Sequence, residues 1–196
     1  METMKIVIQA IVQGLTEFLP VSSSGHLIAL DTFLIPDPMT AATTTETTVA
    51  LHAGTLLAVL LVFWKLLVEL CGNRRSLVIP LAVATIPAAC AGLLIVISGL
   101  DELLTDPRLT GAMLVVTGFV LWMGEPSVES GNETANIKTL SNRQAFGIGM
   151  AQAFAIVPGL SRSGLTIVTA RRIGLPSQQA AQFSFLMSIP VIAGAV

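Results

Sequence analysis

The sequence predicts an all-α integral membrane protein. Its expected architecture is several transmembrane helices and two broken, re-entrant helical hairpins in an inverted repeat, with the C-terminal part of the pattern missing. Three observations carry this. Of 196 residues, 53% are hydrophobic and 11% charged, with a mean hydropathy of +0.81, so polar surface is too scarce to cover a soluble globule. Four stretches are free of Asp, Glu, Lys and Arg over a length that suits a bilayer. Two further apolar stretches are each interrupted by a polar elbow. The composition also excludes disorder. A net charge of −2 and a pI near 5.6 speak against a nucleic-acid binder. Cys71 and Cys90 make neither a disulfide framework nor a zinc site.

In chain order, the first element is a broken one. Lys5 and the apolar run behind it resemble a signal peptide, but a polar cluster at 16–26 follows with no small-residue cleavage site, so the segment is expected to be retained. Ile6–Leu34 carries Glu17, Pro20, three serines, Gly25 and His26. Non-helical backbone at membrane depth survives only where protein or a water-filled cavity satisfies it, which points to a re-entrant pair of half-helices. Val49–Trp64, closed by Lys65, is the first ordinary span, and Ser76–Leu100 and Leu109–Gly124 are the next two. Asp101–Arg108 and Glu125–Arg143 read as surface loops. Gln144–Ile173 is the second broken segment, interrupted by Pro158-Gly159-Leu160-Ser161-Arg162-Ser163-Gly164. Arg171-Arg172 reads as an interfacial anchor, and Ile173–Val196 as the fourth span. The positive-inside rule places Arg74 and Arg75 in the cytoplasm.

The two broken segments resemble each other. Gln13, Ser22, Ser24 and Gly25 reappear as Gln152, Ser161, Ser163 and Gly164, each 139 positions later. The chain is therefore expected to be a single membrane domain, with one repeat over about 1–139 and an incomplete one over 140–196. A broken segment plus three spans is an odd number of crossings, which inverts the second copy. Two whole copies at that offset make roughly 278 residues, so about 80 are expected to be missing at the C-terminus.

The elbows hold the chemistry. Ionisable groups within membrane segments are expensive and mark function by default. Gln13 and Glu17, four residues apart, share a helix face, and Pro20 then breaks that helix. Ser22, Ser23 and Ser24 open the next half-helix, whose free N–H groups and hydroxyls suit an anion. At the second elbow Arg162 offers a planar fork of donors that matches phosphate oxygens, with Ser161, Ser163 and Thr166 adding hydroxyls. At the repeat offset Glu17 corresponds to Ile156, Ser23 to Arg162 and His26 to Leu165. One elbow thus keeps nucleophile and acid/base types, and the other the anion clamp. His52 stands evenly between packing and function, and Glu46 reads as a capping charge.

The stretches 13–26 (QGLTEFLPVSSSGH) and 158–166 (PGLSRSGLT) resemble the two signature motifs of the undecaprenyl-diphosphate phosphatase, or bacitracin-resistance, family. Gln182-Phe183-Ser184-Phe185-Leu186 and Pro190 are similar to its next stretch. The resemblance implies roughly six membrane helices plus two re-entrant hairpins in the full protein, in the cytoplasmic membrane with the site facing outside. It implies removal of the terminal phosphate of a polyprenyl diphosphate, with Mg2+ or Ca2+ as cofactor. By motif position Ser23 would be the nucleophile or a phosphate ligand, His26 its acid/base partner, Glu17 a metal or base residue and Arg162 the phosphate clamp. Ser161 and Thr166 would complete the phosphate pocket. Many members carry glutamate at the position of Gln13, so a two-carboxylate metal site is weakened here. His52 stands where glutamine is common. The expected partners are the lipid substrate and membrane lipids, with no nucleic acid; a homodimer is left open. Ser23 attack and metal-activated water both fit the residues. The competing class is a carrier or flippase for a polyprenyl phosphate or another anion, which needs Arg162 but no nucleophile. A third reading is a non-catalytic fragment, against which the retained catalytic types argue.

Overall fold

The computed structural model describes residues 2–34, 45–100, 104, 106–124 and 135–195. Much of the two expected loops, 101–103, 105 and 125–134, lies outside the described residues, as does Val196. Every regular element among the described residues is helical. In chain order they are α1 (Glu2–Thr16), α2 (Ser23–Leu34), α3 (Thr45–Val62), α4 (Trp64–Leu70), α5 (Val78–Ser98), α6 (Pro107–Gly124), α7 (Asn142–Phe154), α8 (Arg162–Arg172) and α9 (Ser177–Ala195). Short 3-10 turns at Arg75–Leu77 and Ile137–Thr139 lead towards α5 and α7.

Arg75–Ser98 and Pro107–Gly124 are long and apolar enough to cross a membrane, and they match the expected second and third spans. They leave Val96, Ile97, Val115 and Trp122 more than two-thirds exposed, a surface that suits lipid and not water. This is an all-α membrane protein. The α1/α2 and α7/α8 pairs are shorter. Their helices run from 11 to 15 residues, roughly 16 to 23 Å, less than the bilayer core. Each pair folds back on itself as a re-entrant hairpin.

Two of the expected spans come out differently. The helix that begins before Val49 does not stop at Lys65. It bends by 71° at Phe63 and continues as α4 through Lys65 to Leu70. Phe63 has φ −97° and ψ 12° and turns its ring onto Phe185 at 5.8 Å. Ile173 does not open the fourth helix but caps α8. Gly174 at φ 94°, with its N–H donating to the Arg171 carbonyl and Leu175 N–H to the Ala170 carbonyl, ends α8 in a Schellman motif. Helix α9 starts afresh at Ser177. Its glutamines and serines keep it below the apolarity of a free span, and it is held by protein instead: Ala180, Phe183, Ser184, Met187 and Ser188 are buried as it packs on α3, α5 and α8. Arg171 and Arg172 donate to the Leu175 and Met123 carbonyls, serving chain ends as well as the interface.

The tightest pairing is α5 on α7. Small residues four apart, Ala84 and Ala88 on α5 and Ala145 and Gly149 on α7, are all buried and let the backbones approach. A side chain at Gly149 would run into the Ala84 backbone. Leu77, Ile148, Leu175, Phe183 and Met187 complete this core. At the far end of the first hairpin, Asp31 accepts from Gln9 Nε2 at 2.9 Å and lies 3.5 Å from Lys5 Nζ. This pairing meets the requirement that a carboxylate in an apolar segment has partners.

Candidate active site

Both elbows carry a glycine N–H donating to a serine Oγ, on different backbones: Ser22 is left-handed, and Ser161 is extended with φ −79°. In the first, α1 ends at Thr16 and α2 begins at Ser23. Ser22 adopts φ 64° and its Oγ accepts from Gly25 N–H at 3.3 Å. In the second, Ser161 caps α8, its Oγ accepting from Gly164 N–H at 3.0 Å. The hydroxyls of Ser22 and Ser24 are 3.4 Å apart, and those of Ser161 and Ser163 3.2 Å. Gln13 and Gln152 are each 1% exposed. The four sequence matches therefore occupy equivalent places in two helix–turn–helix units.

The elbows touch. A side chain at Gly25 would stand 2.7 Å from Leu114 Cδ2 and 3.2 Å from the Gly159 Cα. Gly159 itself has φ 93°, a left-handed conformation that favours glycine, and lies under the Thr110 carbonyl of α6. Thr117 of α6 donates to the Gly159 carbonyl at 2.8 Å and accepts from Ser161 N–H at 3.0 Å. Ser163 Oγ donates to the Leu19 carbonyl of the first elbow at 2.7 Å.

Between the elbows lies a polar pocket of about 290 Å³, walled by Glu17, the three serines 22–24, Ser161, Arg162 and Ser163, with Ala88 of α5 on its far side. Ala88 is midway along α5, so the pocket lies beside the middle of that apolar helix. Glu17 organises it. Its Oε1 accepts from Arg162 Nη2 at 2.5 Å, and its Oε2 accepts from Ser23 Oγ at 2.5 Å and Gln13 Nε2 at 2.9 Å. The repeat mates Ser23 and Arg162 thus hold one carboxylate oxygen each. The side chains of Glu17 and Arg162 are 8% and 15% exposed, and this pairing offsets the cost of burying two charges. The arrangement puts a hydroxyl against a carboxylate base and a guanidinium beside both.

Two expected site residues are placed elsewhere. His26 is exposed and does not line the pocket. Its Nδ1 donates to the Ser22 carbonyl at 2.7 Å, which assigns the proton to Nδ1. Ser23 turns across the elbow to Glu17 instead, so the expected Ser23–His26 pair is replaced by Ser23–Glu17. His26 steadies the turn at Ser22 that delivers Ser23. Thr166 is fully buried. It donates to the Arg162 carbonyl and meets Ser184 Oγ at 2.7 Å, so it ties α8 to α9 and does not reach the pocket.

Among the described residues no three His, Cys, Asp or Glu side chains gather around a metal position. A hard divalent cation takes oxygen ligands and commonly uses one or two carboxylates plus substrate phosphates. Gln13 Oε1 is buried with no hydrogen-bond partner, next to Glu17. Both Glu17 oxygens are engaged by Arg162, Ser23 and Gln13 Nε2, so these residues make no cage, and a cation beside them would take most of its coordination from a phosphorylated substrate.

A second cavity of about 580 Å³ is apolar. It is lined by Gly14 of α1, by Phe18 of the first elbow, by Leu51, Gly54 and Val59 of α3 and by Phe185 of α9. Phe18 follows Glu17 in the chain, and Leu51 precedes His52 of the polar pocket.

The family model for bacitracin resistance protein BacA matches residues 6–196. The chain belongs to that family. It is 44% identical to an undecaprenyl-diphosphatase of Rhodopirellula baltica, over 99% of this chain and 72% of that protein. It is 41% identical to one of Desulfosudis oleivorans, over 100% of this chain and 76% of the relative. A Roseobacter denitrificans undecaprenyl-diphosphatase is 39% identical over 95% and 72%.

Membership leaves two pocket residues that the motifs did not assign. His52 lines the pocket, its Nδ1 bonded to the Thr48 carbonyl at 2.8 Å. Gln152 lines it as well. The repeat offset marked Gln152 and the family comparison marked His52, but neither signal distinguishes a wall residue from a packing one.

Proposed function

We propose that this protein hydrolyses a polyprenyl diphosphate of the undecaprenyl type to the monophosphate and inorganic phosphate, returning the lipid carrier to cell-envelope synthesis. The carrying observation is Glu17 held between Ser23 and Arg162 in a pocket beside the middle of α5. The apolar cavity supports a lipid substrate: its lining includes Phe18 and Leu51, the chain neighbours of the pocket residues Glu17 and His52.

Phosphoryl transfer needs positioning and charge stabilisation more than covalent chemistry. Arg162 Nη1 is buried and unpartnered and is free for a phosphate oxygen while Nη2 holds Glu17. Ser23 Oγ attacks the terminal phosphorus as its proton passes to Glu17. The Oγ–P bond forms, the bond from phosphorus to the bridging oxygen breaks, and the polyprenyl monophosphate leaves. Glu17 passes that proton to the departing monophosphate; water then attacks the phosphoserine and gives its proton to Glu17, which returns it to Ser23 Oγ as the Oγ–P bond breaks and phosphate departs. Glu17 and Gln13 would hold a Mg2+ or Ca2+ ion, which when bound supplies charge neutralisation to the diphosphate. The protein resides in the cytoplasmic membrane, with Arg74 and Arg75 inside and the site opening outward.

The test is phosphate release from a purified polyprenyl diphosphate in detergent, with Mg2+ or Ca2+ and then with chelator, for the parent, Ser23→Ala and Arg162→Ala. Metal-dependent release that both substitutions abolish is expected. Lipid binding without release by the parent chain would replace this reading with the carrier.

A further inference from the structure

Gln152 is the most unusual polar residue of the pocket. It lies on α7 at 1% exposure, and neither its Nε2 nor its Oε1 has a hydrogen-bond partner. A buried amide left in this state costs free energy at both ends. Its repeat mate Gln13 is equally buried but spends Nε2 on Glu17. At the position equivalent to Glu17 the second elbow has Ile156, which also lines the pocket. The amide of Gln152 therefore lost its expected local partner in the second copy and yet remained an amide. A leucine or methionine would have filled the same volume without the penalty.

What fits is a ligand in the pocket. The unpartnered groups on this side are Gln152 Nε2, Gln152 Oε1 and Arg162 Nη1: two donor groups and one acceptor. Arg162 Nη1 and the amide N–H₂ suit anionic phosphate oxygens. The amide oxygen is different, because it repels a bare oxyanion and calls for an O–H. A terminal phosphate, or free phosphate near neutral pH, carries both kinds of oxygen, P–O⁻ and P–OH.

We infer that Gln152, with Arg162 Nη1, forms a subsite for the terminal phosphoryl group, the amide donating to a P–O⁻ oxygen and accepting from a P–OH. The subsite rests on the phosphatase reading and deepens it: Gln152 and Arg162 hold the terminal phosphoryl group from the second elbow, leaving its phosphorus open to Ser23 of the first. It also gives the free phosphate and inorganic diphosphate a place to bind as competitors.

The test uses the 196-residue chain in detergent, with Gln152→Leu and Gln152→Met as apolar replacements of similar size. Inorganic diphosphate binding is titrated directly, thermal unfolding is followed, and phosphate release from polyprenyl diphosphate is measured in parallel. Because the amide has no partner in the free protein, both substitutions are expected to leave the unfolding temperature unchanged or raised. Both are expected to weaken diphosphate binding about tenfold or more. A merely structural glutamine would lower the unfolding temperature and leave binding per folded molecule alone. Diphosphate bound equally well by parent and both variants would overturn the subsite. If the parent binds, the variants do not, and no phosphate is released from the lipid, the subsite stands and the phosphatase reading falls.

Discussion

Glu17 and Arg162 are separated by 145 positions in the chain and meet at 2.5 Å, one on each elbow. The contact does not join equivalent positions of the two repeats. Arg162 is the counterpart of Ser23, and both grip Glu17, one at each carboxylate oxygen. A single acid thus links a hydroxyl and a guanidinium that occupy the same place in two related turns.

Removing one member of this pair leaves the other charge buried and alone. Glu17→Gln or Arg162→Gln is expected to destabilise the protein by about 3 kcal/mol. The double variant should recover part of that loss, because no charge is then stranded. Thermal unfolding of the three variants in detergent gives the coupling directly.

Thr117 clamps the second elbow from α6. Thr117→Val keeps the shape but strands the Gly159 carbonyl and the Ser161 N–H, both of which it serves. A loss of about 2 kcal/mol is expected, with a matching drop in phosphate release as Arg162 loosens. Unfolding and activity assays on the same preparation check both parts.

Glycines divide into those the fold needs and those it does not. Gly159→Ala meets a left-handed φ of 93° and the Thr110 carbonyl, and should cost about 2 kcal/mol or more. Gly111→Ala, on the same helix that clamps Gly159, has open space and should leave stability unchanged or raise it by up to about 1 kcal/mol. Paired unfolding curves distinguish them.

The cation reading makes a prediction of opposite sign to most substitutions. Gln13→Glu adds a second carboxylate beside Glu17, and the cation concentration for half-maximal phosphate release should fall about tenfold. An unchanged metal titration would remove Gln13 from the coordination.

Much of this was legible because it is local. A Pro/Gly/Ser interruption in an apolar run announces an elbow, and Ser22–Gly25 and Ser161–Gly164 are capping pairs that three-residue spacing reveals. Glu17, Ser23 and Arg162 stood out because each is costly at membrane depth. Their mutual pairing was not legible, since Glu17 and Arg162 lie at different offsets within their repeats. The expected Ser23–His26 pair came from the family resemblance, but Ser23 Oγ bonds Glu17 and His26 Nδ1 bonds the Ser22 carbonyl. The bend at Phe63 is set by a distant ring, Phe185. The stop before α9 has a local signal, Gly174 and Pro176, but it lies inside an uncharged run that reads as one span. Asp31 sits in an otherwise apolar stretch, and its partners Lys5 and Gln9 lie on the other helix of the hairpin.

The central claim is that the Glu17 carboxylate takes the proton from the attacking group. The most direct measurement is single-turnover phosphate release from a polyprenyl diphosphate by the parent and Glu17→Gln at saturating cation, with lipid binding followed in the same samples. The account predicts that Glu17→Gln still binds the lipid but releases phosphate at least about 10³-fold more slowly. Release by Glu17→Gln within roughly threefold of the parent would contradict it.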